Sequence, residues 1–312
     1  MENDSQPTRL QNLLHNVMTH RRRIIIGLLL VVVLLWTLLP ALRAVAFVAN
    51  TQHRQAYVPV SNGHSVQSIR FRATDGVQIA GSLITVSDNS PTVILVHGFK
   101  GNSGEMQPWA TMLTDAGYNV LMYDSRGCGA SDDWKITLGV NEPDDVIGAV
   151  HFLQRHSHLV QKFAVLGVSL GAGIAILAAA REPAISAVIA DSAWVDLHGQ
   201  TDRMGSLQIG RFSLPLLPYE ATVVGQIAGK PLSTVSPLAA ISSIAPRATL
   251  LIHSADDANS LTPLTGAKQL DAAAGSPHSL WIVPNGGHVG AIVAYPTEYR
   301  QHVIDFLQHY VG

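Results

Sequence analysis

The chain has 312 residues, of which 47% are hydrophobic and 13% charged, and a formal net charge of −2. That length accommodates one large domain with an ample core plus an appendage, and the near-neutral balance supplies no basic patch of the kind nucleic acid demands, so no nucleic-acid partner is expected. A single cysteine, Cys128, excludes an intramolecular disulfide and offers no thiol pair to a metal.

The first element is apolar. Arg21, Arg22 and Arg23 precede an unbroken run over 24–39, interrupted only by Gly27 and Thr37, which Pro40, Ala41 and Leu42 extend up to Arg43. About 20 apolar residues cross a hydrocarbon core as a helix, and a run with no polar face is poorly suited to the surface of a soluble domain. Residues 24–42 are therefore expected to be a transmembrane helix. Three arginines on its N-terminal flank against Arg43 on the other place residues 1–23 in the cytoplasm and the following domain outside it, at the cell membrane. Ala44, Val45 and Ala46 form an A-x-A pattern that a signal peptidase reads, but the apolar run exceeds the usual signal length, so an uncleaved anchor is expected.

Residues 43–65 read as a linker and 66–312 as the domain. Alternation over 68–73, the turn residues Asp75 and Gly76, and return alternation over 77–85 predict an antiparallel hairpin. The β-branched run 92–96 predicts a strand buried on both faces, ending in His97, Gly98, Phe99, Lys100 and Gly101. Open α/β sheets place ligands at such strand ends, where the backbone N–H of Phe99 is available to an oxyanion. His97 is expected to hold the loop by hydrogen bonding.

Helical spacing over 104–116, a strand over 119–123 and a polar loop over 124–131 come next, Asp124 and Arg126 tying that loop together. Cys128 lies beside Arg126, and a cation lowers a thiol pKa; without a histidine next to it in sequence it is taken as a bystander. A helix over 141–156 buries Val146, Ile147, Val150 and Leu153 on one stripe, while His151, His156 and His158 lack paired zinc spacing and are expected to be solvated.

Gly167, Val168, Ser169, Leu170 and Gly171 then join an apolar strand, 163–166, to an alanine-rich helix, 172–180. A serine at such a turn is pushed out of the sheet edge, and the N–H of Leu170 is left free at the helix N-terminus. The strand 187–191 ends in Asp191, one candidate acid. Residues 194–235 break into short apolar pieces with Pro and Gly and read as a small helical cap; Leu207, Ile209, Phe212, Leu214, Leu216, Leu217, Val223, Val224 and Ile227 are expected to roof the site, with Asp202 and Glu220 among the cap's acidic residues. A strand over 248–253 ends near Asp256 and Asp257, a helix covers 263–274, and the last strand, 279–284, precedes His288 between glycines. An amphipathic helix, 296–310, closes the chain.

A serine hydroxyl needs an imidazole to take its proton and a carboxylate to hold that imidazole in the right tautomer. Ser169, Asp257 and His288 stand in the order Ser, Asp, His at the ends of successive strands. On these motifs, together with His97-Gly98-Phe99, the loop 124–131 and the stretch from His253 to Asp257, the chain from about residue 69 onward resembles the α/β-hydrolase superfamily, specifically single-domain members related to serine aminopeptidases, acyl-ester hydrolases and BEM46-like proteins anchored by one N-terminal helix. Two features depart from the family pattern. Ser254 stands where relatives carry glycine, and Pro263 comes two residues late, so Asp256 stays open beside Asp257.

The resemblance implies an α/β-hydrolase fold with a mostly parallel sheet and a serine hydrolase acting on a small-molecule acyl substrate. Ser169, His288 and Asp257 are its expected catalytic residues, Phe99 and Leu170 its backbone oxyanion donors, with no metal or organic cofactor. An aminopeptidase and a non-catalytic scaffold are the competing readings, and the oligomeric state stays open.

Overall fold

The structure is a computed structural model that describes residues 9–50, 56–155, 158–196, 206–209, 212–215 and 220–312. Its centre is an eight-stranded sheet made of β1 (Ser65–Arg72), β2 (Gln78–Thr85), β3 (Thr92–Val96), β4 (Asn119–Tyr123), β5 (Phe163–Val168), β6 (Ile185–Asp191), β9 (Ala248–Ser254) and β10 (His278–Val283). Their order across the sheet is β1-β2-β4-β3-β5-β6-β9-β10. β2 runs antiparallel to both β1 and β4, and every other neighbouring pair is parallel. This is the α/β-hydrolase architecture that the resemblance implies.

Side chains alternate across a strand, and here both faces are covered. All five residues of β3 are buried: Val93 and Leu95 face one apolar layer, Ile94 and Val96 the other. One layer is closed by α2 (Gln107–Thr114), through Trp109, Ala110 and Leu113, and by α7 (Pro296–Tyr310), through Tyr299, Val303, Phe306 and Leu307. The other is closed by α3 (Glu142–Arg155) and α4 (Leu170–Arg181). The stripe expected on α3 is the observed one, with Val146, Ile147, Val150 and Leu153 all buried.

The polar loop after β4 is held by Arg126 and Asp124, as expected, but mostly through partners outside it. Arg126 is buried and donates to Asp145 through Nε and Nη2, at 3.0 and 2.7 Å, and to Asp75 through Nη1 and Nη2. Asp124 accepts from the N–H of Ser103 at 2.7 Å and of Ala130 at 2.8 Å. Burial pushes the Cys128 thiol up to about 12, against any lowering from Arg126, which fits a bystander. His151 is partly exposed beside Glu182, while His156 lies outside the described residues.

Two elements differ from expectation. Helix α1 (Arg9–Val48) is longer than the apolar run at both ends and continues through the first residues expected of the linker. Residues 24–39 are all exposed, so it is no core helix, but Ala44 and Val48 are fully buried in the domain. The segment expected as a helical cap is only partly helical: β7 (Ser206–Ile209) and β8 (Phe212–Pro215) form an antiparallel ribbon before α5 (Glu220–Ala228). Leu207 and Ile209 alternate, as do Phe212 and Leu214, and the register pairs Leu207 with Leu214 and Ile209 with Phe212; that period of two outweighs the segment's apolar average.

Candidate active site

β5 ends against α4 in a turn that only small residues permit. A Cβ on Gly167 would strike the carbonyl of Gly171, and one on Gly171 would strike the carbonyls of Val96 and His97. Ser169 between them sits at φ 54°, ψ −118°, a left-handed conformation that costs a serine about 1–3 kcal/mol and is stored by the packing around it. Trp194 braces the turn from behind: it is buried, and its Nε1 donates to the carbonyl of Leu170 at 3.1 Å.

The strain aims the hydroxyl at a histidine. Ser169 Oγ lies 2.8 Å from His288 Nε2, and His288 Nδ1 lies 2.9 Å from Asp257 Oδ2. The Asp257 side chain is fully buried. Its Oδ1 accepts from the N–H of Asn259 at 2.9 Å and its Oδ2 from the hydroxyl of Thr262 at 3.1 Å. A carboxylate so held accepts the Nδ1–H of His288, which leaves the Nε2 lone pair to receive the serine proton. Thr262 Oγ1 is also 3.2 Å from Nδ1, and Asn259 Nδ2 is 3.2 Å from Nε2.

Asp256 and Asp191 do other work. Asp256 Oδ1 accepts from the N–H of Gly287 at 2.9 Å, pinning the loop that carries His288, and that bond holds its pKa down. Asp191 accepts from Ser192 Oγ and from Tyr299 Oη, each at 3.0 Å; the Ser192 hydroxyl in turn accepts from the N–H of Val289 at 3.2 Å. Burial raises Asp191 to about 6 in spite of those donors. Asp191 thus supports the histidine loop at one remove and does not reach the imidazole.

His97 has the loop-holding part expected of it. It is buried, its Nε2 accepts from the N–H of Ser125 at 3.0 Å, and the other ring nitrogen therefore carries the proton and donates to the carbonyl of Gly98 at 2.7 Å. Burial lowers its pKa, keeping it neutral. The backbone N–H groups of Phe99 and Leu170 have no acceptor among the described residues. Both residues flank Ser169, since Phe99 lines the same cleft and Leu170 follows the serine.

That cleft holds about 370 Å³ and is walled by Gly98, Phe99, Trp109, Val168 and Val289, with Glu105 and Asn259 as its polar residues beside Ser169 and His288. Val223, Val224 and Ile227, expected in its roof, are not among its walls; Val224 is buried, and Val223 and Ile227 pack against the same core layer. The side chains of Leu207, Ile209, Phe212, Leu214 and Glu220, and the whole of Asp202, Leu216 and Leu217, lie outside the described residues.

Sequence reasoning missed Thr262, Asn259, Ser192, Tyr299 and Glu105. The first two sit in the loop between Asp257 and Pro263, where the longer spacing to the proline marks two additional residues but not their roles. The other three reach the site only through the fold.

Comparison with known proteins bears on the fold and the family. The family model for serine aminopeptidase, S33, matches residues 87–220. Protein YqkD of Bacillus subtilis is 29% identical over 236 residues, which cover 75% of this chain and 76% of that protein. YfhR of Salmonella typhimurium is 26% identical over 313 residues, covering 93% and 97%. Among solved structures, the esterase Pf2001 of Pyrococcus furiosus superposes with a TM-score of 0.66 at 22% identity, over 83% of this chain and 99% of its own. The alpha/beta hydrolase GrgF from Penicillium sp. sh18 gives 0.64 at 20% identity, over 79% and 99%. The fold is shared with both, and the family match points to a hydrolase.

Proposed function

We propose that this chain, a member of the α/β-hydrolase superfamily, is a membrane-anchored serine hydrolase that cleaves carboxylic esters or related acyl bonds through an acyl-enzyme. The observation that carries the reading is the line from Ser169 Oγ through His288 to the buried Asp257, with hydrogen bonds of 2.8 and 2.9 Å. In the first half-reaction Ser169 Oγ attacks the acyl carbon while its proton passes to His288 Nε2. The N–H groups of Phe99 and Leu170 receive the developing oxyanion. His288 then protonates the departing alcohol or amine. Water enters in the second half, gives its proton to the same nitrogen, and releases the acid as Ser169 recovers its proton. These groups complete the cycle without a metal or organic cofactor.

The anchor reading rests on α1. Among the described residues it is the one helix long and apolar enough to cross a membrane. Ala44, within the peptidase-like pattern, is buried in the domain, so cleavage there would remove a packed residue. Arg21, Arg22 and Arg23 orient the helix with its N-terminus in the cytoplasm.

One experiment tests both parts. A charged, membrane-impermeant fluorophosphonate should label the wild-type protein on intact cells and leave Ser169→Ala unlabelled. No labelling of a folded wild-type protein overturns the serine-hydrolase reading, and labelling only after permeabilisation overturns the extracytoplasmic placement.

A second reading, an aminopeptidase, has a specific observation in its favour: the Glu105 carboxylate lies at the cleft, where it could pair with a substrate ammonium. The remaining walls are largely apolar, and burying each CH₂ of an acyl chain gains roughly 0.8 kcal/mol, or up to about fourfold in affinity. kcat/KM is therefore expected to rise from acetyl to hexanoyl p-nitrophenyl esters and to exceed that for aminoacyl arylamides. A flat series, or faster cleavage of the arylamides, would promote the peptidase.

A further inference from the structure

The end of the anchor helix is built into the wall of the candidate active site. Its last turn does not lead into a free tether: Ala44 and Val48 are fully buried, α5 packs along it, and the N–H of Ile136 donates to the carbonyl of Val48 at 2.9 Å. Just beyond, the N–H of Asn50 donates to the carbonyl of Trp134 at 2.9 Å, and Ala49 forms an antiparallel bridge with Lys135. On the other side Lys100 Nζ donates to the carbonyl of Ala46 at 3.2 Å, and the ring of Phe47 lies 5.0 Å from that of Phe99. Phe99 is the residue that lines the cleft beside Ser169.

The helix therefore sets a height. Leu42 is the last residue of the apolar run, and Phe47 follows five positions later, about 7–8 Å along a helix that rises 1.5 Å per residue. Each headgroup layer of a bilayer is about 5–8 Å deep, the difference between its hydrocarbon and total thickness shared between two faces. The Phe47–Phe99 contact, and with it one wall of the cleft, falls at the outer edge of that layer.

The surface around the helix end has an independent signature. Trp134 is 46% exposed and Phe99 38%. Lys135 Nζ stands 5.7 Å from the Trp134 ring centroid and Lys100 Nζ 5.5 Å from that of Phe99. Isolated exposed aromatics are ordinary on protein surfaces. Two aromatic–lysine pairs, one joined to the last turn of an apolar helix and the other to the two residues just beyond it, match the composition of a membrane interface, where rings sit among headgroups and ammonium groups reach phosphates.

Resting on the serine-hydrolase and anchor readings above, we propose that the cleft draws its substrate from the bilayer: an acyl amphiphile whose ester lies at headgroup depth enters past Phe99 from the leaflet on which the domain sits. Water-soluble esters then reach Ser169 by a route that does not depend on the height of the domain, whereas bilayer-borne ones do so only while the cleft stays at the headgroups.

The test uses the full chain in phosphatidylcholine vesicles, with p-nitrophenyl palmitate in the bilayer and p-nitrophenyl butyrate in solution. Inserting seven alanine-rich helical residues between Leu42 and Arg43 raises the domain by about 10 Å while adding nearly two whole turns. The insertion is expected to lower the rate on palmitate at least tenfold and to leave that on butyrate within twofold. Equal rates for the two proteins on palmitate overturn the proposal. A measurement on the wild-type chain alone guards against misfolding of the insertion: palmitate in the enzyme's own vesicles should be consumed at least tenfold faster than palmitate supplied in separate vesicles, and equal rates overturn the proposal. Wild-type turnover of butyrate but not palmitate also overturns it, with the serine-hydrolase reading intact. Turnover of neither ester overturns that reading itself.

Discussion

Ser169→Ala and His288→Ala are each expected to lower kcat on p-nitrophenyl butyrate by about 10⁵- to 10⁶-fold, and the double variant to lose no more than either single one. The reason is geometric. Ser169 Oγ has its proton acceptor, His288 Nε2, at 2.8 Å, so each group is useful only through the other. Removing the imidazole leaves a hydroxyl far too weakly acidic to ionise near neutral pH, and removing the hydroxyl leaves a base with nothing to activate but water. What survives in all three variants is the pair of backbone donors, Phe99 and Leu170, which substitution of these side chains does not touch. Rates measured on the three purified proteins check this. Losses that multiply in the double variant would mean that the two residues act independently, and the 2.8 Å contact would not be the catalytic one.

Much of this arrangement was legible along the chain, because its signals are local. β3, β4 and β5 are continuous apolar runs ended by glycine-bearing loops, and a strand buried on both faces needs no partner information to be read. The turn at Ser169 announces itself through Gly167 and Gly171, since both positions forbid a Cβ. The hairpin β1–β2 follows from alternation about Asp75 and Gly76, and its register runs one to one from Ser65 opposite Thr85 to Arg72 opposite Gln78.

What was illegible depends on contacts that no window of sequence contains. Phe47 meets Phe99, and Asn50 meets both Trp134 and Cys128; residues 43–50 therefore read as part of a linker until the loops they touch are in place. The same holds for the roof of the cleft. Val224 is apolar whether it faces a substrate or the core, and only packing decides that it is buried in the core. Ser192 and Tyr299 are equally anonymous in sequence, yet through Asp191 they join α7 to the histidine loop.

The choice between Asp256 and Asp257 shows where local reading stops, and it carries the last prediction. Counting four residues on from His253 favours Asp257, but two adjacent carboxylates on one loop differ by a single residue in phase. In the fold, the N–H of Asp257 turns back on the carbonyl of Ser254 at 3.3 Å. Asp257 thereby faces inward, where Asn259, Thr262 and His288 all donate to it, while Asp256 takes the N–H of Gly287 at the surface. His253, buried and held neutral, stands 3.7 Å behind the Asp257 carboxylate and adds no competing charge. Asp257→Asn replaces the acceptor for His288 Nδ1–H with an amide that can present a donor instead. The imidazole then favours the tautomer with its proton on Nε2, where it cannot receive the proton of Ser169. kcat is expected to fall by about 10⁴-fold, with KM little changed. Asp256→Asn keeps an acceptor for Gly287, and Asp191→Asn keeps one for Tyr299 or Ser192, so each should cost less than about tenfold. The kcat of the three variants on one ester discriminates them: a 10⁴-fold loss in Asp256→Asn with Asp257→Asn near wild type would reverse the assignment. A large loss in Asp191→Asn alone would instead place the decisive carboxylate behind Tyr299.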